Sequence, residues 1–96
     1  MVIAKVVGSA VATLKHEQLK TSKLLLVRLA NAEGNVTGEP FLAIDLVGAG
    51  EGELVMVSQG SSARMATGHN ASPVDAAIVG ILDSLRVEGT TVFRKE

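Results

Sequence analysis

The residues with chemical potential in this chain gather between Asp45 and Arg64, in the stretch DLVGAGEGELVMVSQGSSAR. Its first half sets glycines at 48, 50 and 52, and glycine-rich loops of this kind wrap phosphates with backbone N–H groups. A P-loop also needs a lysine, then serine or threonine, leading into a helix. Here Glu53 follows Gly52, and the strand-like run ELVMVSQ comes next. A dinucleotide turn needs Gly-x-Gly-x-x-Gly opening a helix whose N-terminus faces the pyrophosphate. The spacing of Gly48, Gly50 and Gly52 breaks that frame, and Glu51 and Glu53 repel an anion. The expectation is a tight turn and no bound cofactor.

The second half holds Gly60, Ser61, Ser62 and Arg64. A serine hydrolase elbow reads Gly-x-Ser-x-Gly, and neither serine stands in that frame. An enzyme built on Ser61 or Ser62 would borrow His16 or His69, the chain's two histidines, and no motif links them. The same histidines lack the further ligands of a metal site and read as solvated surface residues. Arg64 either stands on the surface or clamps a carboxylate bidentately, with Asp45 and Asp75 as the candidates. Asp45 interrupts the apolar run FLAIDLVG. A charge so flanked needs a partner, and a structural hydrogen-bonding role is expected there over acid–base chemistry. No catalytic, cofactor-binding or metal-ligating residue is assigned.

The elements that must position these residues follow from composition. The 96 residues fit a single domain, 1–96, with a C-terminal tail from about residue 88. The chain is 47% hydrophobic, yet its aromatics are Phe41 and Phe93 alone, so the core is aliphatic. A net charge of −1 attracts no polyanion. The absence of cysteine excludes disulfides and thiolate metal sites. Lys5, Gly8 and Ser9 interrupt the N-terminal apolar run, which makes a poor signal peptide. No apolar run approaches the roughly 20 residues that span a bilayer, so a cytoplasmic location without a membrane partner is expected.

Valine-rich Val2–Thr13 reads as a strand bent at Gly8. Polar Lys15–Lys23 reads as a loop and Leu24–Leu29 as a strand. Asn31, Gly34, Gly38 and Pro40 read as turn residues. Further strands are expected at Phe41–Gly48, Glu53–Gln59, Ile78–Leu82 and Thr90–Lys95. Ser72 as N-cap and Pro73 at the first helical position place one helical turn just before the fifth strand. Many short strands between glycine-rich turns predict a mainly β fold, a small barrel that is closed or nearly so.

Two strands depart from the alternation of a half-buried strand. Leu24–Val27 and Leu54–Val57 are apolar on both faces. One face fills the barrel and the other needs a cover, which is either a neighbouring copy or the chain's own helical turn and loops. Small barrels also bind single-stranded nucleic acid or oligosaccharide. The nucleic-acid mode needs stacking aromatics in a basic groove, and this chain has no Trp, no Tyr and a slight negative balance.

The segments KVVGSAVATLK, KLLLVRL, AIDLVGAGEGELVMVSQGSSAR and PVDAAIVGILDSL, in that order, resemble the EutN/CcmL family, the vertex proteins of bacterial microcompartments. The resemblance runs from Val2 to about Val87. Its most specific part is Asp45–Val47 with Gly48–Glu53, followed by Gly60–Arg64. It implies an OB-like β-barrel with one short helix and a cyclic homopentamer. It further implies a place at the corners of a polyhedral shell, among hexameric shell proteins, with no catalytic role. Asp45, Gly48, Gly50, Gly52, Gly60, Ser61, Ser62 and Arg64 are then expected at the subunit interface or in an axial loop. One departure is Thr21-Ser22-Lys23, where family members commonly carry a glycine.

Overall fold

A computed structural model describes residues 1–13, 22–68 and 75–95. Five strands close a barrel: β1 (Val2–Ala10), β2 (Leu24–Ala30), β3 (Val36–Asp45), β4 (Leu54–Gln59) and β5 (Ala76–Ile81). Their order around the wall is β1-β2-β3-β5-β4, with β4 returning to β1. All pairings are antiparallel except β3 with β5, joined at Ile44–Ala77 and Asp45–Ile78. A short helix, α1 (Ser61–Thr67), lies between β4 and β5, and β6 (Ser84–Val87) with β7 (Thr90–Arg94) forms a separate two-stranded hairpin. This is the small, mainly β, OB-like barrel with one short helix that the sequence predicts.

Small residues are what so narrow a barrel can hold. Ala4, Val6, Val27, Ala43, Val55, Val57 and Ile78 point inward and are almost wholly buried, with Leu25 and Ala76 beside them. Each large aliphatic chain buried this way contributes on the order of 1.5–3 kcal/mol. Gly8 marks the expected bend: the β1–β2 register slips between Val6 and Gly8, which leaves Val7 as an exposed bulge. A second slip between Met56 and Val57 keeps Val57 and Ile78 facing inward together.

Two expectations need correction. Gly38 and Pro40 belong to β3, which begins at Val36. The proline is tolerated because β5 pairs with β3 only at Ile44 and Asp45, so one side of β3 carries no ladder at Pro40. The helix stands at Ser61–Thr67, a stretch that reads as loop, whereas the expected caps Ser72 and Pro73 lie outside the described residues. The last strand, at Thr90–Arg94, pairs with Ser84–Val87, and Glu88 and Gly89, both with positive φ, make the two-residue turn between them.

Candidate functional site

The glycine-rich stretch divides into two surfaces. Gly48–Glu53 precedes β4 and Gly60–Arg64 follows it, so the two stand about 20 Å apart at the ends of a six-residue strand. They do not form one cradle.

The first surface is organised by Asp45. Its side chain is 2% exposed, and its Oδ1 accepts hydrogen bonds from the backbone N–H groups of Val47 (3.1 Å), Gly48 (3.1 Å) and Ala49 (3.2 Å). Oδ2 accepts a further bond from Ala49 N–H at 3.0 Å, and the Lys23 ammonium stands 3.9 Å away. One carboxylate thus folds the chain back on itself and drives Ala49 into the barrel core, where it is 2% exposed. The loop ends in a turn closed by Glu53 N–H to Gly50 O at 3.2 Å. Gly48 and Gly52, with φ of 78° and 87°, adopt the left-handed region that a side chain disfavours. Gly52 N–H reaches Val6 O at 2.8 Å and Val6 N–H reaches Glu53 O at 3.0 Å, which ties the loop to β1.

Glu53 joins this loop to the C-terminal hairpin. Its Oε1 accepts from Gly50 N–H at 2.6 Å, and its Oε2 takes an ion-paired hydrogen bond from Lys95 Nζ. That bond, then the one from Gly50, holds the Glu53 carboxyl below its ordinary range, and the same pairing raises Lys95. The hairpin's other anchor is Phe93, which lies so close to Gly34 that a Cβ there would stand 2.9 Å from the ring. Asn31 builds the turn that carries Gly34: its Oδ1 accepts from the N–H groups of Glu33 (3.1 Å) and Asn35 (3.0 Å).

The second surface is α1. Gly60 starts it with φ 64°, and Gly60 N–H donates to Asp75 O at 2.8 Å. Ser61 and Ser62 are exposed, Arg64 is half-buried, and Ala63 is wholly buried. Ala63 packs with Ile44 and Ala77 into a small second core outside the barrel, flanked by Leu24 and Val79. The helix thus covers part of the outer apolar face that the sequence leaves without a partner.

Among the described residues the candidates do not converge on a reaction centre. Ser61 and Ser62 stand on the exposed first turn of α1, Asp45 is committed to backbone N–H groups, and His16 and His69 lie outside the described residues. Among the described residues no group of three metal-ligating side chains forms, and no helix is long and apolar enough to cross a membrane. Both aromatics are committed to packing, Phe41 against the barrel core and Phe93 on Gly34. What sequence reasoning missed is the pairing of Glu53 with Lys95, 42 residues apart, for which no local pattern exists.

Known proteins resemble this chain along its whole length. The family model described as "Ethanolamine utilisation protein EutN/carboxysome" matches residues 1–83, the barrel and helix up to the start of the hairpin. The microcompartment shell vertex protein EutN of Salmonella typhimurium is 44% identical over 95 residues, 99% of this chain and 96% of that protein. The carboxysome shell vertex protein CcmL of a Nostoc species is 44% identical over 97 residues, 100% of this chain and 96% of that protein. Among solved structures, an ethanolamine utilization protein EutN superposes with TM-score 0.91 at 42% identity, each chain fully covered. The pentameric microcompartment shell protein GrpN of Rhodospirillum rubrum superposes with TM-score 0.82 at 42% identity, covering 91% of this chain and 99% of that one.

Proposed function

The chain belongs to the EutN/CcmL family, and from that premise we propose that it is a vertex subunit of a bacterial microcompartment shell. Five copies close a ring, and the ring caps a five-fold corner of a polyhedral shell in the cytoplasm. The observation that carries this reading is the match in fold and sequence to a shell protein described as pentameric.

The role is structural. The residues with chemical potential are engaged in holding loops, as Asp45 is, or stand apart, as Ser61 and Ser62 do. Asp45, Gly48, Gly50 and Gly52 shape one surface of the ring, and Gly60, Ser61, Ser62 and Arg64 shape another. Each contributes to subunit contacts or to the axial loop, where small residues let five backbones approach. The corner meets hexameric tiles of the same shell, and no nucleic acid is a partner, since the surface offers neither net positive charge nor free aromatics.

Co-assembly tests the role directly. Hexameric shell tiles mixed with this protein and viewed by electron microscopy should give closed polyhedra with this chain at the corners. Tiles that close equally well without it, or rings that never enter the shell, would refute the vertex role.

A further inference from the structure

Among the described residues the C-terminal hairpin pairs with no barrel strand, and β6 and β7 bond as strands to each other alone. A lone two-stranded hairpin is at best marginally stable in water, so its seating depends on its base and its side chains. The base is tied by Lys95 N–H to Asp83 O at 2.7 Å, and Leu82 N–H reaches Leu54 O at 2.9 Å where the chain leaves the barrel. Two side chains near the chain end then reach back to two different loops. Phe93 lies on Gly34, in the turn between β2 and β3, and Lys95 Nζ bonds Glu53, at the end of the loop before β4. Leu85, the cross-strand partner of Phe93, lines an open cleft of about 550 Å³ with Met1, Ile3 and Met56.

The loop that Lys95 reaches is held from two places. Its first half hangs on Asp45, which takes the N–H groups of Val47, Gly48 and Ala49 and makes no bond to the hairpin. Its second half hangs on Glu53, whose Oε1 accepts from Gly50 N–H at 2.6 Å while Oε2 accepts from Lys95. The side-chain rotamer that presents one oxygen to Gly50 is therefore the rotamer that presents the other to Lys95. A glutamate without such a partner spreads over many rotamers, so the ammonium selects the one that Gly50 needs. Glu53, Phe93 and Lys95 also wall a single groove of about 480 Å³ with Lys5, Glu51 and Arg94, so loop and hairpin face each other across it.

We propose that the C-terminal hairpin is a strap that orders the second half of the glycine-rich loop. With the hairpin seated, Lys95 fixes the Glu53 carboxylate and the carboxylate fixes Gly50. With it lifted, Gly50 loses its acceptor while the half built on Asp45 stays folded. The coupling stands on the geometry of the single chain. Its consequence for assembly rests on the ring proposed above, where this loop shapes one surface of the ring: whatever engages the hairpin then acts on that surface.

Amide exchange measured by NMR on the full chain, in whatever assembly it forms, tests the coupling. Lys95→Met should speed exchange at Gly50 about two- to five-fold, the range an exposed ion pair supports. Val47, Gly48 and Ala49 should keep their rates, and Lys95→Arg should restore slow exchange at Gly50. Phe93→Ala removes the hairpin's other anchor and touches no bond of Glu53, yet it should speed Gly50 to a similar degree. That variant separates a strap from a local hydrogen bond. An unchanged Gly50 rate in Lys95→Met or in Phe93→Ala overturns the proposal. An equal rise at all four amides overturns it too, because the loop would then open as one unit. A chain that stays monomeric leaves each of these outcomes readable and counts against the ring alone.

Discussion

The barrel has two outer flanks, and they solve the same problem differently. On one, Ile44 and Ala77 are covered by Ala63 of α1, so the chain buries its own surplus apolar surface. On the other, Ile3, Met56 and Leu85 line a cleft that no described residue fills. The first flank belongs to the folded subunit and its stability is independent of concentration. The second stays open in the single subunit, and any burial gained there by association follows mass action. Of the two covers expected for the doubly apolar strands, a helix of the chain itself is present on the first flank.

Substitutions should separate the flanks, ordered here by their cost to the isolated subunit. Ala63→Glu forces a charge into the wholly buried contact beneath α1 and should destabilise the subunit by at least about 3 kcal/mol. Thermal unfolding would show this at every protein concentration. Asp45→Ala frees the backbone N–H groups of Val47, Gly48 and Ala49 and should cost about 2–3 kcal/mol. Asp45→Asn, which keeps one carbonyl oxygen, should cost less in the same denaturant titration. Leu42→Asp, at a half-exposed position on the outer wall, should change subunit stability by no more than about 0.5 kcal/mol. A loss as large as that of Ala63→Glu would erase the distinction between covered and open outer surface.

The smallest effect concerns the hairpin. Glu53 is held below its ordinary carboxyl range by Lys95, so its contribution is present above that range and lost as pH falls through the lowered value. Lys95 is raised by the same pairing, so its contribution is present below the ordinary lysine range and lost as pH climbs through the raised value. The hairpin should therefore stay seated across neutral pH and loosen in acid, followed by the NMR shift of the Phe93 ring. Glu53→Gln should remove the acid transition, leaving a signal that does not change between neutral and acidic pH.

How much of this was legible follows from the range of each signal. The inner faces of β1, β2 and β4 were readable because runs of Val and Leu declare strands over short windows. Leu25 and Val27 lie inside the barrel as their run implies. Helix α1 was not readable: seven residues carry no 3.6-residue period, and its one buried contact, Ala63, is no hydrophobic stripe. Gly38 and Pro40 announced a turn because their local preferences favour one, but the ladder with β2 and the bond from Arg28 Nε to Gly38 O at 2.6 Å keep them in β3. The cleft is beyond any local pattern, since it joins Met1 to Leu85 through the closure of the barrel.

The central claim is the proposed ring, in which further copies cover apolar surface that one subunit leaves exposed. The most direct test is the solution mass by light scattering over a wide dilution series. The account predicts a discrete particle of roughly five times the 9.9 kDa subunit. A 9.9 kDa monomer at every concentration would contradict it.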